Sequence, residues 1–419
     1  MSTWTPLYVM FFTFMVAMFF VQFLLCWRSV RAVLRLRLRR RWSRLLSGGI
    51  CAFFAGMAAP SGLQAVGVSV FTLLPASISE PYRTLFLVWM VSSSLSFLIL
   101  VTSDTLGWVA RHARAWLRPR GRLRAAAPSR APVAVNPSRR QFLQVMSFGA
   151  VALPIGLTTY GAVWGRSRLE VVRRDIVIDK LPAALDGLTI GQMSDIHAGT
   201  FMSWREINDY AVVLQEMKPD LITLTGDFVT RKQYQLTTCL DALQVLQAPL
   251  GIFACLGNHE FWAGIDQRMA GEFAQGGVRL LVNESVHVER NGARLAVLGI
   301  ADAWTGRIDW QSTLTAVAPE TPKLLLAHIP DVFPTAGRYG IDLTLSGHYH
   351  GGQLKLPSGR VGLTPAMLVS KYIAGHYRLD GARRGPQLYV NRGLGTTGVP
   401  VRLNARPEIT LLTLRARPA

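Results

Sequence analysis

Five short segments of this chain, between residues 195 and 350, carry side chains of the types that bind metal ions. Each of these side chains is Asp, Asn or His, and each segment follows a run rich in Val, Ile, Leu and Thr. In chain order they are Asp195, His197, Asp227, Asn258, His259, His328, His348 and His350. Such apolar runs are typical of buried strands. Because open α/β sheets bind ligands at strand ends, we expect these side chains to meet at one edge of a sheet.

The mixture of carboxylates and imidazoles indicates which ions could bind. Carboxylates combined with neutral imidazoles favour Mn, Zn or Fe over Mg and Ca, which prefer shells of oxygen alone. The set is too large for one ion, because a single site offers about four to six positions and a catalytic site leaves one open. Two divalent transition metal ions are therefore predicted. Such ions lie about 3.5–4 Å apart and share a carboxylate. Asp227 fits that bridging role.

The ordered motifs also resemble those of a known family. The set is D-x-H at 195–197, G-D at 226–227, G-N-H-E at 257–260, His328 and G-H-x-H at 347–350. It resembles the calcineurin-like metallophosphoesterases, from about Leu188 to the end of the chain. The segments 351–353, 391–395 and 406–408 look like the exported or membrane-anchored bacterial branch of that family. The resemblance implies a four-layer α-β-β-α sandwich.

The resemblance also implies a role for each motif residue. One ion is held by Asp195, His197 and His350, and the other by Asn258, His328 and His348, with Asp227 between them. His259 is then the catalytic histidine, which binds no metal and faces the leaving group. Two ions would lower the pKa of a bridging water from about 15.7 toward neutrality, giving a hydroxide for in-line attack on phosphorus. A general acid at His259 would contribute a factor of about 10² to 10⁴ in rate.

Single motif residues have an ordinary structural interpretation as well. A lone His is usually a core or surface residue, and Asp or Asn after a strand is usually a turn former or a helix cap. Five of the eight His, however, fall on the motifs. The others, His112, His287 and His376, we assign to structure or solvent. The joint pattern therefore favours the metal centre.

The amino-terminal part of the chain is of a different kind. Half of all residues are hydrophobic, and the mean hydropathy is +0.26. Four apolar runs account for the excess, and about 20 residues suffice to cross a bilayer. They are Leu7 to Trp27, Leu45 to about Leu74, Leu85 to about Val101, and Phe142 to Trp164. The second run is the weakest, because Pro60 and Gln64 interrupt it. We expect a multi-pass protein of the cytoplasmic membrane.

Arginines between these runs predict the orientation. Eight arginines separate the first run from the second and nine separate the third from the fourth, whereas only Arg83 lies between the second and third. Arginine-rich loops stay in the cytoplasm, which places the catalytic domain on the periplasmic or extracellular side. The segment Ser138 to Leu143 resembles a twin-arginine signal, which would make the twin-arginine translocase a partner. Two further positive-inside arginines before an ordinary anchor are the equal alternative.

These observations divide the chain into domains. We expect a transmembrane helical region at 1–110, a basic linker at 111–141, a fourth anchor or signal-like helix at 142–164, and a metallophosphoesterase domain at 165–419. The net charge of +20 belongs mainly to the front, because 18 of 45 basic residues but only 2 of 25 acidic residues precede Gly165. The charge thus reflects membrane topology, and we expect no nucleic-acid partner. No disulfide framework is expected from the four cysteines.

Within the last domain, strands alternate with helices, which is the pattern of an α/β fold. Helical periodicity predicts helices at Trp204 to Met217, Leu236 to Leu246 and Asp266 to Gln275, and a hairpin at Val286 to Gly299.

Two functions follow from these predictions. The first is hydrolysis of phosphate esters or pyrophosphates at the outer membrane face, with a phosphate-containing small molecule or a lipid-linked compound as substrate. The second is a membrane sensor or scaffold in which the metallophosphoesterase fold only binds. The intact motif set favours catalysis. Phe261, Trp262 and Trp304 could form an apolar shelf for an acyl chain, although packing is the commoner role of such residues.

Overall fold

The computed structural model describes residues 5–35, 38–65, 69–116, 149, 152–357, 362–381 and 384–417. Contacts divide the chain into two compact units, Met1–Thr159 and Tyr160–Ala419. The first unit is helical and the second contains two β-sheets with helices.

The first unit contains three long, apolar helices and two short ones in its described residues. They are α1 (Thr5–Arg35), α2 (Arg40–Ala65), α3 (Val70–Leu73), α4 (Ala76–Trp116) and α5 (152–160). Among the described residues, three stretches have the length and composition needed to cross a membrane: Val16–Leu34, Arg40–Leu63 and Ser77–Arg114. Helix α2 continues through Pro60, so the proline that weakens the second apolar run does not end the helix. Membrane helices tolerate proline where neighbouring groups satisfy the freed carbonyl.

Polar side chains join these helices in pairs. Gln22 of α1 donates to Ser93 Oγ of α4 at 2.7 Å and accepts from Trp89 Nε1 at 2.7 Å. Ser92 of α4 and Thr158 of α5 share a hydrogen bond. Buried polar groups need such partners in an apolar setting, so these contacts specify how the helices of this unit pair.

The boundaries of this unit differ from the sequence pattern in one respect. Helix α4 runs to Trp116, six residues into the predicted basic linker, because Ala and Arg in that stretch are good helix formers. Residues 142–148, 150 and 151 of the fourth predicted span lie outside the described residues, as does the twin-arginine-like segment Ser138 to Leu143. The remainder of that span forms α5 and a π-helical turn at Gly161–Gly165.

Two six-stranded sheets form the second unit. The first has the order β1 (Glu170–Ile178), β12 (Glu408–Ala416), β2 (Thr189–Met193), β3 (Leu221–Thr225), β4 (Ile252–Cys255) and β5 (Val278–Leu280). The second has the order β10 (Gly375–Arg378), β11 (Gln387–Val390), β9 (Leu343–Ser346), β8 (Lys323–Leu326), β7 (Ala293–Gly299) and β6 (Glu284–Arg290). Strands β2 to β5 are mutually parallel, as are β7, β8, β9 and β11.

Helices cover the outer faces of both sheets. They are α6 (Trp204–Glu216), α7 (Tyr234–Leu243), α8 (Asn258–Trp262), α9 (Met269–Gln275), α10 (Trp310–Leu314) and α11 (Phe333–Arg338). Alternation along the strands explains the layers. In β8, Leu324 and Leu326 enter the core between the sheets, whereas Leu325 packs toward the helices. The predicted α/β four-layer sandwich is confirmed.

Most predicted elements of this unit are present with shifted ends. Helix α6 begins at Trp204, where Ser203 and Glu206 form a capping box. The helix expected at 236–246 is α7, which begins two residues earlier and ends at Leu243. The hairpin at Val286 to Gly299 is the antiparallel pair β6–β7.

Candidate metal centre

All eight motif side chains lie beyond the carboxyl ends of five strands. Asp195 and His197 follow β2, Asp227 follows β3, and the others follow β4, β8 and β9. Five of these residues have left-handed backbone: Asp195, His197, Asp227, His348 and His350, with φ between 49° and 74°. Such φ values are uncommon for residues other than glycine, and the surrounding structure must hold them. Around these turns, ligand atoms of the motif residues form groups in which all atoms lie within 4.8 Å of one another.

The first cluster consists of Asp195, His197 and His350. His197 Nε2 lies 3.1 Å from His350 Nε2, which lies 3.4 Å from Asp195 Oδ1. All three residues are buried, and they could hold a metal ion together. The second cluster consists of Asp227, His328 and His348, with His328 Nε2 3.1 Å from Asp227 Oδ2 and 3.2 Å from His348 Nδ1.

Asp227 lies between the two clusters. Its Oδ2 atom is 3.5 Å from His197 Nε2 in the first cluster and 3.1 Å from His328 Nε2 in the second. Its Oδ1 atom accepts a hydrogen bond from the backbone N–H of His259 at 3.0 Å. The hydrogen bond to Oδ1 therefore orients the carboxylate, and Oδ2 faces the imidazoles of both clusters.

Backbone carbonyls orient two of the imidazoles. His328 Nδ1 lies 2.7 Å from the Thr225 carbonyl oxygen, and His259 Nδ1 lies 2.6 Å from that of Thr230. A carbonyl only accepts, so each Nδ1 carries the proton. For His328 this makes Nε2 the atom that would bind an ion, once the ion replaces the proton there, in the arrangement usual for metal-binding histidines.

The residues fit a divalent cation by two further observations. Asn258 Oδ1 is buried and has no hydrogen-bond partner among the described residues, which is rare for a buried polar atom unless an ion completes it. Burial lowers the pKa of both His197 and His348 to about 3, so these imidazoles are neutral at physiological pH, as metal ligands must be.

Negative charge is concentrated at the centre. Burial alone would raise the pKa of Asp227 and lower that of His328. The opposite charges of the two groups outweigh this effect of burial. The pKa of Asp227 lies well below its usual value beside the imidazoles, and the carboxylates raise that of His328 to about 10. Buried carboxylates that favour positive charge so strongly make this a site for cations.

Comparison with known proteins agrees with this geometry. Residues 188–352 match the family model of the calcineurin-like phosphoesterases. The phosphodiesterase YaeI of Escherichia coli (strain K12) is 32% identical over 66% of this chain and 99% of its own length. The chain belongs to the calcineurin-like metallophosphoesterase family. It is a metal-dependent phosphoric ester hydrolase.

Two other metallophosphoesterases extend the comparison. A transmembrane protein with metallophosphoesterase domain from Danio rerio is 28% identical over 95% of this chain and 90% of its own length. The alignment therefore extends into the apolar helices of this chain. The UDP-2,3-diacylglucosamine pyrophosphatase LpxG of Chlamydia muridarum (strain MoPn / Nigg) is 27% identical over 58% of this chain and 88% of its own length. Together with α1, α2 and α4, the first likeness indicates that this metallophosphoesterase is membrane-associated.

Glu260 is a residue of the metallophosphoesterase centre to which the sequence assigned no role. Its buried carboxylate accepts hydrogen bonds from the backbone N–H groups of Gly257, Asp227, Phe228 and Val229, at 2.7 to 3.3 Å. It therefore ties the turn after β3 to the turn after β4. Its place in the G-N-H-E motif was the available signal.

Arg402 and Thr397 were also missed. The fully buried guanidinium of Arg402 donates to the carbonyls of Gly395 and Ala405 at 3.0 and 2.8 Å and lies 3.2 Å from His350 Nδ1. Burial lowers its pKa to about 10, so it remains a cation at neutral pH. Thr397 Oγ1 is 3.0 Å from the Nε2 atoms of both His197 and His350. Neither residue belongs to the motifs that the sequence analysis used.

Two half-exposed tryptophans border the metallophosphoesterase centre. The ring of Trp262 lies 4.7 Å from that of His259, and the ring of Trp304 lies 4.4 Å from that of His348. Trp262 and Trp304 are 51% and 58% exposed. They therefore offer apolar surface beside the motif histidines, whereas packing in a core would have buried them.

Proposed function

We propose that this enzyme hydrolyses phosphate esters or pyrophosphates with two divalent transition metal ions, Mn, Zn or Fe. The observation that supports the pair is the position of Asp227 Oδ2 between two clusters of imidazoles. One ion is assigned to Asp195, His197 and His350, and the other to Asn258, His328 and His348, with Asp227 bridging.

The ions, when bound, supply the charge that neutralises phosphoryl oxygens and acidifies water for attack at neutral pH. The chain's own residues do the rest. His259 keeps Nδ1–H on the Thr230 carbonyl, which leaves Nε2 as the atom that carries a second proton to the leaving oxygen. Thr230 therefore sets the direction of proton transfer, and His259 is the general acid.

The proposed place of action is the outer face of the cytoplasmic membrane. The support is the arginine pattern of the sequence, with 17 arginines in the two loops assigned to the cytoplasm and Arg83 alone in the loop between them. Export would then use the apolar segments themselves or the twin-arginine translocase. A lipid-linked phosphate or pyrophosphate is the proposed substrate class beside small phosphate compounds. Two observations support a lipid-linked substrate: the name of the Chlamydia relative, and the exposed apolar surface of Trp262 and Trp304 beside the centre.

The test combines turnover with metal content. We expect purified full-length protein to hydrolyse bis(p-nitrophenyl) phosphate with manganese and to contain two ions per chain by elemental analysis. We expect Asp227→Ala to lose both the activity and most of the metal, because both clusters lose their shared carboxylate. The control is His287→Ala, an exposed histidine of β6, which should change neither. Normal metal content in Asp227→Ala would refute the bridge.

A further inference from the structure

The segment that follows the last motif histidine exposes unusually many apolar side chains. Leu368 is 89% exposed and Val369 is 72% exposed. Leu356, Leu363 and Met367 are also exposed, so that five such residues fall within the fourteen positions 356–369. Single exposed apolar residues are normal, but a concentration of them on a folded surface marks an interaction site.

The described residues of this segment, 354–357 and 362–371, are named the apolar loop. It has defined structure in its described parts. Leu356 and Leu363 exchange backbone hydrogen bonds of 2.8 and 2.9 Å, and Pro365–Leu368 form a 3₁₀ helix capped by Thr364. The exposed side chains therefore project from a folded element.

Hydrogen bonds fix the apolar loop to the turn that carries His348 and His350. Thr364 Oγ1 donates to the carbonyl of Gly352 at 2.8 Å. Near its other end, Ser370 Oγ donates to Asp331 at 2.7 Å, and the same carboxylate accepts from the hydroxyl of Tyr349 at 2.8 Å. Whatever binds the apolar loop therefore lies near the metal centre.

The charge of the apolar loop indicates its partner. It contains Lys355 and Lys371 and no acidic residue. Apolar side chains combined with basic ones are the composition of elements that lie in the interface of a bilayer, where anionic headgroups meet acyl chains. A bilayer is also an apolar partner close to this chain, because stretches of helices α1, α2 and α4 have the length and composition to cross a membrane.

We propose that the apolar loop contacts the phospholipid surface of the membrane in which the chain is anchored. The contact holds the His348–His350 turn at the headgroup level. If the proposed phosphoesterase function is accepted, the substrate class follows: a phosphate or pyrophosphate attached to a lipid that stays in the bilayer during hydrolysis.

The contact can be tested without measuring activity. The photo-crosslinking residue p-benzoylphenylalanine is placed at position 368 or 369 of the full-length protein in nanodiscs of phosphatidylethanolamine and phosphatidylglycerol. The control position is 339, because Tyr339 is exposed but precedes β9, at the opposite end of that strand from His348. After irradiation we expect lipid adducts by mass spectrometry at 368 and 369 and none at 339. Adducts only to protein, or none at 368 and 369, would overturn the proposal.

A second experiment connects the contact to catalysis. The double variant Leu368→Glu, Val369→Glu is compared with the unchanged protein on two substrates with the same leaving group, bis(p-nitrophenyl) phosphate in solution and phosphatidyl-p-nitrophenol in phosphatidylglycerol vesicles. We expect loss of activity on the lipid substrate and unchanged activity on the soluble one. Equal activity of both proteins on the lipid substrate argues against a bilayer contact that serves catalysis. An unchanged protein that hydrolyses neither would contradict the phosphoesterase proposal, and the lipid adducts would still decide the contact.

Discussion

His259 is oriented by a single strong contact, from its Nδ1 to the Thr230 carbonyl at 2.6 Å. If it acts as general acid, its removal matters most for leaving groups that need a proton. For His259→Ala we therefore expect retained metal and a loss of turnover that grows, up to a factor of about 10² to 10⁴, as the leaving group changes from p-nitrophenol to phenol. Steady-state kinetics on a series of aryl phosphodiesters measures this dependence.

The control for this series is His287→Ala, which should follow the unchanged protein throughout. A loss of turnover in His259→Ala that is the same for every leaving group would remove the acid role and leave His259 as a binding residue.

Glu260 supports the centre through the backbone. In Glu260→Gln one acceptor oxygen becomes an NH₂ group that faces backbone donors, which leaves at least one buried N–H unpaired. We expect the free energy of unfolding to fall by about 1–3 kcal/mol and the metal content to drop, since the turns of Asp227 and Gly257 lose their common anchor. Thermal unfolding in detergent and elemental analysis measure the two effects.

Glu272→Gln is the matched control. Glu272 forms an exposed pair with Arg268 in α9 at 3.0 Å, a kind of contact that contributes about 0.3–0.5 kcal/mol. If the two variants unfold at the same temperature and hold equal metal, Glu260 has no structural role in the centre.

At the scale of elements, the π-helical turn Gly161–Gly165 is packed closely against the loop of Arg402. The Arg402 backbone N–H donates to the Gly161 carbonyl at 3.1 Å, and a Cβ atom on Gly165 would lie 1.9 Å from the Arg402 carbonyl oxygen. For Gly165→Ala we expect the turn to move away from that loop and the melting temperature Tm to fall. Because Arg402 also contacts His350, metal content should fall too.

Gly156→Ala is the control for this substitution. Gly156 is in α5, and a Cβ atom there has no described atom within 4 Å, so alanine should be neutral or slightly stabilising in a helix. If the Gly165→Ala protein has the same Tm and metal content as Gly156→Ala, the close packing at position 165 does not contribute to stability.

At the scale of the whole molecule, the arginine distribution predicts opposite sides for the loops and the enzyme domain. We expect alkaline phosphatase fused after Ala419 to be active, because this reporter needs an exported location, and green fluorescent protein at the same site to be dark if the chain crosses unfolded. Substituting Arg139 and Arg140 by Lys then separates the two export routes, since a twin-arginine signal requires the arginine pair. An active reporter found only in the cytoplasm would overturn the topology.

The fold of the enzyme domain was readable from the sequence because its signals are local. The periodicity that predicts each strand or helix lies within that element, as it does for α6, which was expected at Trp204 to Met217 and spans Trp204–Glu216. The order of strands in the sheets was not readable, because the position of β12 depends on contacts with distant strands. The continuity of α2 through Pro60 was not readable either, since partners in an apolar setting can satisfy the backbone groups that a proline frees.

The candidate centre was predictable from the sequence for those residues that belong to the motifs. Seven of the eight predicted residues fall into groups that could hold a metal ion, because each motif includes the strand end that positions it. Arg402 and Thr397 lie near the centre by tertiary contact. The family-like segments 391–395 and 406–408 flank them, but nothing in those segments assigned a role to these two residues. Glu260 stood inside a motif, but its role depends on four backbone N–H groups that only the folded turns bring together.

The placement of β12 has a consequence for biogenesis. Leu412 pairs with Ile190, more than two hundred residues earlier, and the edge strand β1 has β12 as its neighbour. Until the ribosome has translated β12, strands β1 and β2 lack the strand that lies between them in the sheet. A premature stop codon just before Glu408 would therefore release a polypeptide whose first sheet is split, with an unsatisfied strand edge prone to aggregation.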